Sequence, residues 1–354
     1  MAIRCIGDDP CSNVLEVTAP AVKEIREMAT QIEVMFAERL SDRKRRLEEA
    51  VYRSNSPEDV RQLLQEVDRA LDKIGKGTYG LCETCKEPIE TDRLNMDPLV
   101  RYCIDHLSSS EQRALEHDIS TARDIQVGLL PRKSITLPGW QSAYHYEPLG
   151  PVSGDYCDII LNETRPNSFF FIVGDVTGKG IAASILMSQL HATFRTLAQT
   201  GIPLGEIMQR ANRIFCEASL VTHFATLVCG LADKNGNVEI SNAGHCLPVV
   251  VKSDAIDTIP SSGLPLGISC DVKYKSSMLE LVHGDRIVVY TDGLSEAADE
   301  SGELYSEERL KSLLKTTESS AASDLLAASL KDLGRFIGNS KRSDDLTILV
   351  LQKV

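Results

Sequence analysis

The first part of the chain spaces its apolar residues with the period of a helix. Between residues 19 and 74 they recur every three or four positions, which buries one face of an amphipathic helix. The stripe consists of Val22, Ile25, Ala29, Ile32 and Phe36, and then of Val60, Leu63, Leu64, Val67, Leu71 and Ile74. The turn-forming segment SNSP at 54–57 interrupts it. Two helices joined by a short turn predict an antiparallel helical hairpin.

A third helical stripe follows and ends before Pro131. It is formed by Leu115, Ile119, Ala122, Ile125 and Leu129. Because an apolar stripe needs a surface to pack against, we predict that this helix pairs with the same helix of a second subunit. The protein would then be a homodimer.

From about residue 137 the pattern changes to short apolar runs separated by turns rich in Gly, Asn and Asp. Such runs predict β-strands. They lie at 169–173, 224–232, 247–251, 286–291 and 346–352, with helical patterns at 182–197, 204–218, 307–314 and 322–337. Strands covered by a second sheet on one face and by helices on the other form a layered sandwich. The sequence therefore predicts an α+β fold for this region.

The charge of the chain argues against nucleic acid as a partner. Among 354 residues, 51 are Asp or Glu and 38 are Lys or Arg, which gives a net charge of -13. Affinity for nucleic acid rests on neutralisation of phosphates by Lys and Arg, so we expect no non-specific binding. A basic run at 43–46 stands beside Glu48 and Glu49. We interpret it as a solvated helix face, with a partner site as the alternative.

No segment has the character of a membrane span or an export signal. A span needs about 18 or more consecutive apolar residues, and the segment MAIRCIGDDPCSN lacks the apolar core of a signal peptide. Five cysteines stand singly in apolar surroundings, which is typical of reduced, buried thiols. They are Cys157, Cys216, Cys229, Cys246 and Cys270. We expect a cytoplasmic protein without membrane contact.

A cluster of potential metal ligands follows the hairpin. Cys82, Cys85, Cys103 and His106 have the spacing CxxC-x17-CxxH. Two close pairs joined by a loop fit tetrahedral zinc, and imidazole replaces thiolate readily in such sites. Four protein ligands leave no position open for water, so we predict one structural Zn²⁺ rather than a catalytic ion.

Aspartates recur at the ends of the predicted strands. They are Asp155, Asp158, Asp175, Asp292, Asp344 and Asp345. Each one alone is typical of a turn. Carboxylates that converge raise one another's pKa values, and a pair of Mg²⁺ or Mn²⁺ ions would offset that repulsion. Two such ions about 4 Å apart can activate water and bind a phosphoryl group.

Seven motifs in order resemble the SpoIIE-like branch of the metal-dependent Ser/Thr protein phosphatases, the PPM class of protein phosphatase 2C type. They are GLLPRKSITLPGW, EPLGPVSGDYCDI, IVGDVTGKGIAASILMSQL, ISNAGHCLPVVV, LPLGI, HGDRIVVYTDGLSEAADESGELYSEERL and SDDLTILVL. The resemblance covers about residues 123–354. It implies a PPM-type αββα sandwich that hydrolyses phosphoserine and phosphothreonine with two Mn²⁺ or Mg²⁺ ions.

The resemblance also implies the catalytic metal ligands. Asp175 would bridge the two metals, and the backbone carbonyl of Val176 would be a further ligand. Asp292 and Asp344 would bind on one metal side. Together with Asp175 they form the predicted catalytic set.

Other residues have less fixed roles in the resemblance. Asp155 matches the aspartate of the family's GGD motif and is expected at or just behind the metals, although Ser153 stands where that motif usually has Gly. Asp345, the second acid of SDDLT, is a further candidate metal ligand. His245 is either a general acid or a residue that orders a turn, and we favour the turn. Lys179 either faces a phosphate or is a solvated turn residue.

The stretch GTYGLCETCKEPIETDRLNMDPLVRYCIDH resembles the zinc finger of the DksA/TraR family. The preceding QEVDRALDKIGKGTYG resembles the helices of that family, so that the likeness covers about residues 57–107. It implies a hairpin that can reach into RNA polymerase with acidic residues at its tip. The corresponding acids here are Glu58 and Asp59.

Two hypotheses for function follow. The first is a Ser/Thr phosphatase that acts on a phosphorylated bacterial signalling protein, such as an anti-sigma-factor antagonist, under control of its N-terminal zinc module. The second is a DksA-like transcription regulator that binds RNA polymerase and carries an inactive phosphatase fold. The complete set of aspartates favours the first. We predict a disordered or irregular segment at 1–18, a hairpin with zinc finger at 19–107, a linker helix at 108–131 and a phosphatase domain at 132–354.

Overall fold

The computed structural model describes several stretches of the chain. They are residues 36–49, 57–107, 109–132, 135–219, 223–317 and 321–354. The predicted irregular segment at 1–18, the apolar positions from 22 to 32 and most of the SNSP turn lie outside the described residues. The fold divides into two compact units, Met1–Leu115 and Glu116–Val354.

Two helices build the first unit. They are α1 (residues 36–49) and α2 (Pro57–Gly75). Their apolar stripes pack together. Phe36 at the start of α1 lies against Tyr79, just beyond the end of α2, with ring centroids 5.5 Å apart. Lys44 Nζ lies 2.7 Å from Asp68 in the middle of α2. The two helices therefore run antiparallel, as the hairpin prediction requires.

Short elements complete the first unit and lead out of it. They are α3 (Thr91–Met96), a 3₁₀ turn (Ile104–His106) and the start of α4 (Ser109–Leu129). Helix α4 is the predicted third helix, and the boundary between the two units falls within it.

Two antiparallel sheets form the second unit. One sheet contains β1 (Trp140–Glu147), β6 (Val249–Val251), β7 (Ile256–Thr258), β9 (Arg286–Tyr290) and β10 (Leu346–Lys353). The other contains β2 (Asp155–Leu161), β3 (Ser168–Val176), β4 (Ala225–Asp233), β5 (Asn237–Ala243) and β8 (Ser277–Glu280). Their strand orders are β1-β10-β9-β6-β7 and β2-β3-β4-β5-β8.

Helices cover the outer faces of both sheets. They are α5 (Ile181–Leu197), α6 (Leu204–Ala218), α7 (Asp292–Ser295), α8 (Glu307–Thr316) and α9 (Ala322–Ile337). One apolar core lies between the sheets. A second joins α5 and α6 to the β2-β3-β4 side, and a third joins α8 and α9 to the β10-β9-β6 side. This αββα arrangement confirms the predicted fold class.

The sandwich brings distant loops to one end. Strand β2 begins where β3 ends, because the two run antiparallel with Asp155 opposite Asp175. In the other sheet, β9 ends and β10 begins at neighbouring positions, with Tyr290 opposite Ile348. Within the described stretches, no helix is both long and apolar enough to cross a bilayer.

Candidate metal centres

Four predicted site residues occupy the ends of strands in the second unit. Asp155 is the first residue of β2 and Asp175 lies near the end of β3. Asp292 opens α7, two residues after β9 ends, and Asp344 precedes β10. Charge interactions link Asp175 to Asp155, Asp292 and Asp344. The fold therefore gathers carboxylates that are far apart in sequence.

The gathered carboxylates resist ionisation. Burial raises the pKa of Asp175 to about 7, and the charges of Asp292, Asp344 and Asp345 add to the effect. Burial also raises the pKa of Asp292, followed by repulsion from Asp344 and Glu296. Such a cluster is unfavourable without a compensating positive charge.

Lys179 supplies part of that charge. Its Nζ lies 3.1 Å from Asp344 Oδ2 and donates to the backbone oxygen of Ser343 at 2.6 Å. It also counteracts the raised pKa values of Asp175 and Asp292. Its ammonium thus points at the carboxylate cluster rather than away from it, although the side chain is largely exposed.

Asp155 is held by two threonine hydroxyls. Its Oδ2 accepts from Thr291 Oγ1 at 3.0 Å and from Thr347 Oγ1 at 2.5 Å. Burial and the charge of Asp175 nevertheless raise its pKa well above the usual value for aspartate. Thr347 belongs to β10 of the opposite sheet, and Thr291 directly follows β9 of that sheet. These bonds therefore join the two sheets at Asp155, the residue opposite Asp175.

Asp345 anchors the loop before β2. Its Oδ1 accepts from Leu149 N at 2.6 Å, and its Oδ2 accepts from Ser153 Oγ at 2.6 Å and from Gly154 N at 3.1 Å. This arrangement favours a role in holding the loop over direct contact with a metal.

Two glycines permit the close approach of these loops. A Cβ on Gly154 would lie 2.7 Å from Val176 O and 3.3 Å from Asp175 Oδ1. A Cβ on Gly293 would lie 1.8 Å from Asp345 O. Any side chain at either position would push apart the segments that carry the aspartates.

The donor set fits hard divalent cations. Carboxylate oxygens from Asp175, Asp292 and Asp344, together with the Val176 carbonyl beside Gly154, are the ligand type that Mg²⁺ and Mn²⁺ prefer. A cation there would remove the repulsion that raises the pKa of Asp175. The residues present are therefore compatible with the metals that the sequence predicts.

The predicted zinc ligands meet in the first unit. One donor atom from each of Cys82, Cys85, Cys103 and His106 lies within 4.8 Å of all the others. Cys85 Sγ is 3.8 Å from Cys103 Sγ, which is 3.2 Å from His106 Nδ1. Among the described residues, this is the one group of three or more His, Cys, Asp or Glu with ligand atoms so close. Three sulfurs and a nitrogen at this spacing fit tetrahedral zinc.

Backbone turns and an ion-pair network hold this knuckle, which we define as residues 81–106. Cys82 N donates to Glu87 O at 2.9 Å, and Lys86 N donates to Cys82 O at 3.0 Å. Hydrogen bonding from Arg101, supported by Lys73 of α2, lowers the pKa of Glu83 to about 2. Glu83 thereby ties both halves of the knuckle to the end of α2.

Family comparison assigns both parts of the chain. Residues 165–354, more than half of the chain, match the family described as Stage II sporulation protein E (SpoIIE). The chain belongs to the SpoIIE family. Its second unit is a PPM-type protein Ser/Thr phosphatase domain, as the seven motifs predicted. Residues 77–105 match the prokaryotic dksA/traR C4-type zinc finger, and His106, the predicted fourth ligand, directly follows the matched residues.

Individual relatives agree with this assignment. Phosphoserine phosphatase RsbU of Bacillus subtilis (strain 168) is 26% identical over 249 residues, which cover 68% of this chain and 72% of RsbU. Protein IcfG of Synechocystis sp. is 25% identical over 265 residues, which cover 67% of this chain but only 41% of IcfG. The SiaA-PP2C domain of Pseudomonas aeruginosa shares the fold, with a TM-score of 0.61 over 70% of this chain and 99% of that domain at 18% identity.

His245 of this SpoIIE-family domain is buried beneath the site. Its Nδ1 lies 2.8 Å from Thr226 Oγ1, and its backbone N donates to Asn242 Oδ1 at 2.8 Å. Burial lowers the pKa of His245 to about 4. A neutral, enclosed imidazole favours the turn-ordering interpretation over a general acid.

Asp158 does not join the carboxylate cluster. It lies within β2 and accepts from Arg195 Nε at 2.9 Å and Nη2 at 2.8 Å. It is therefore the partner of an arginine on α5. A strand-end pattern alone does not separate it from Asp155, three residues earlier.

The sequence reasoning missed the residues that hold the aspartates. Thr291 and Thr347 bind Asp155, and Ser153 binds Asp345. One signal was present: Thr291 and Thr347 are polar residues within otherwise apolar runs, where a hydroxyl needs a hydrogen-bond partner.

Proposed function

We propose that this chain hydrolyses phosphoserine or phosphothreonine on a protein, using two Mn²⁺ or Mg²⁺ ions at the carboxylate cluster. The observation that carries the proposal is the convergence of Asp175, Asp292 and Asp344, where burial and repulsion raise the pKa of Asp175 to about 7. Membership of the SpoIIE family and the likeness to RsbU, a phosphoserine phosphatase, support the reaction class.

Each residue would have a definite part in this reaction. Asp175, the Val176 carbonyl, Asp292 and Asp344 would hold the two ions, and Asp155 would support Asp175 from β2. When bound, the ions would supply Lewis-acid chemistry that activates water and stabilises charge on the phosphoryl oxygens. The Lys179 ammonium, which lies beside Asp344 at the cluster, would bind a phosphate oxygen of the substrate.

The substrate that we propose is a phosphorylated bacterial signalling protein. Phosphorylated anti-sigma-factor antagonists are the class to test first, because the resemblance to the SpoIIE-like phosphatases implies them. The chain spans only 41% of IcfG and 72% of RsbU, so its substrate is tested directly rather than taken from either relative.

We assign the zinc knuckle a structural and regulatory part. Zn²⁺ bound by Cys82, Cys85, Cys103 and His106 would fix the end of the α1–α2 hairpin and the chain that leads into α4. Helix α4 is the covalent path from this unit to the phosphatase domain. Its exposed Leu115 and Ile125 support the predicted homodimer. Light scattering of the active protein tests this prediction. A strictly monomeric active protein would contradict it.

Phosphatase assays on the full chain test the central proposal. Hydrolysis of a phosphoserine peptide is measured with EDTA, with Mn²⁺ and with Mg²⁺, beside an Asp175→Asn/Asp292→Asn double variant. We expect turnover that depends on added metal and disappears in the variant. Metal-independent turnover, or full activity in the variant, would contradict the two-metal proposal.

The same protein preparations also test the alternative function. A DksA-like regulator with an inactive phosphatase fold would show no turnover on phosphopeptides or phosphoproteins and would co-purify with RNA polymerase. We expect the opposite result for both measurements.

A further inference from the structure

On helix α4 a polar side chain is buried between two exposed apolar side chains. Among the side chains of this helix that the structure describes, the one fully buried is Gln126, which is 4% exposed. Its neighbours Ile125 and Val127 are 61% and 55% exposed. Burial of an amide is unfavourable unless its polar atoms are hydrogen-bonded. A buried glutamine between two exposed apolar residues therefore indicates a specific use of its amide.

The amide of Gln126 binds both polar backbone groups of one residue. Gln126 Nε2 donates to Ser153 O at 2.8 Å, and Gln126 Oε1 accepts from Ser153 N at 3.0 Å. Ser153 is itself fully buried. One side chain thus fixes the two peptide planes that flank Ser153 and satisfies groups that would otherwise be buried without partners.

Ser153 in turn contacts the carboxylate cluster. Its hydroxyl donates to Asp345 Oδ2 at 2.6 Å and accepts from Asp155 N at 3.0 Å. Gly154, the next residue, packs so closely that an added Cβ would lie 3.3 Å from Asp175 Oδ1. The segment that Gln126 holds is therefore the segment that places Asp155 beside Asp175.

We propose that Gln126 is a positioning residue for the metal site, acting through the backbone of Ser153. Its amide holds residues 153–155 so that Asp155 stays opposite Asp175, the proposed metal ligand. The role of the metal in catalysis rests on the proposed phosphatase function. Binding of the metal does not rest on it and is measured separately. Since α4 begins in the first unit, a shift or turn of this helix would move Ser153 and lower the affinity for metal.

The expected effect is large for a residue that touches no metal. Loss of the amide leaves Ser153 N–H and C=O buried without partners, a cost that the loop can relieve only by moving. Partners that orient metal ligands typically change metal affinity or activity about 10–100-fold when they are removed. We therefore expect at least about a tenfold loss of Mn²⁺ affinity.

Metal binding by the full-length protein provides the test. Mn²⁺ is titrated calorimetrically into wild type and Gln126→Met, which keeps the length of the side chain but makes no hydrogen bond. Gln126→Asn, which keeps the amide but is too short to reach both atoms, serves as a second variant in case the first does not fold. Gln112→Met, an exposed position on the same helix, is the matched control, and thermal unfolding in EDTA reports stability separately.

The outcomes distinguish positioning from mere stabilisation. We expect weaker Mn²⁺ binding and lower kcat in both Gln126 variants, with KM for the phosphopeptide changed less than about twofold and the control like wild type. Unchanged Mn²⁺ affinity in both variants, with or without a lower melting temperature, would overturn the proposal. Wild type that binds Mn²⁺ but hydrolyses no phosphopeptide would contradict the phosphatase function and leave the positioning role standing.

Discussion

The two candidate metal centres of this protein are built in opposite ways. All predicted ligands of the zinc knuckle lie between residues 82 and 106, and short backbone turns bring them within 4.8 Å of one another. The aspartates of the second unit are spread from 155 to 345 and meet only because two sheets place their strand ends together. The knuckle can therefore form from local chain, whereas the carboxylate cluster depends on the whole sandwich.

The two centres also differ in what they do for stability. Binding of a structural metal stabilises the small module that supplies the ligands. The carboxylate cluster opposes folding, because burial and mutual repulsion raise the pKa of Asp175 and Asp292. A domain with extensive apolar cores tolerates such a cluster. Strain of this kind is typical of sites that are kept for function.

Substitution of Asp175 gives the sharpest contrast between the centres. Asp175→Asn removes the proposed bridging ligand, and we expect phosphatase turnover to fall by more than about a hundredfold, since even residues behind the ligands cost up to that much. Because the change also removes a repelled carboxylate, the melting temperature in EDTA should stay the same or rise. Turnover and calorimetric unfolding of the same preparation are the measurements.

Asp158→Asn is the matched control for that prediction. It removes an aspartate of the neighbouring strand β2 that pairs with Arg195 rather than with the cluster. We expect a loss of about 2 kcal/mol in unfolding free energy, less than for a fully buried pair because Arg195 is 47% exposed. Activity per folded molecule should persist. The idea that the two aspartates differ in role fails if both variants lose activity alike.

Removal of zinc tests whether the knuckle and the sandwich are independent. A zinc-selective chelator, or Cys82→Ser, should unfold residues 57–107, because the knuckle is linked to α2 through Glu83 and Lys73. The phosphatase domain should keep its melting transition. Hydrogen exchange by mass spectrometry resolves the two regions, and loss of protection in β3 or β10 after chelation would show that the two units fold as one.

The pH dependence of stability tests the role of His245. Its pKa of about 4 in the folded protein lies below its ordinary value of 6.5, so the folded state binds fewer protons between pH 4 and 6.5. Its contribution to stability is present above pH 6.5 and is lost as the pH falls towards 4. We expect His245→Asn to flatten that loss in urea unfolding at several pH values.

Phosphatase activity of His245→Asn tests separately whether the imidazole acts as a general acid. If the imidazole only orders the turn with Asn242 and Thr226, turnover should stay within about threefold of wild type. A general acid contributes about 10²–10⁴-fold. A loss in that range, with no change in the slope of stability against pH, would restore His245 as a catalytic candidate.

The sequence predicted those features whose cause is local. Helix α9 was placed at 322–337, as the structure has it, since its apolar stripe and its burial follow one helical period. The apolar runs at 169–173 and 346–352 fall within β3 and β10, because both strands are buried along nearly their whole length. Strand β2 shows no continuous apolar run, because Asp155 and Asp158 stand among its buried positions.

The arrangement around the aspartates could not be predicted because it is made of contacts between distant segments. Nothing near Ser153 in sequence indicates that a glutamine on α4 binds its backbone. Gln126 does stand four residues after Ala122 and three before Leu129, so the helical period places it on the buried stripe. The apolar pattern favours Ile125 at this position instead, because an apolar residue is its usual occupant.

His106 offers the smallest expected change and the finest comparison of the two centres. His106→Cys restores the four-cysteine ligand set of the matched finger type and adds one negative charge beside Cys103. Because four donors remain, zinc should stay bound with an affinity within about tenfold of wild type, and phosphatase activity should be unchanged. His106→Ala, which leaves three donors, is the control that should lose zinc. Competition with a chromophoric chelator measures both. Equal zinc affinity in wild type and His106→Ala would show that the imidazole is no ligand, although its Nδ1 lies 3.2 Å from Cys103 Sγ. The zinc centre would then have three protein donors instead of four in the comparison with the carboxylate centre.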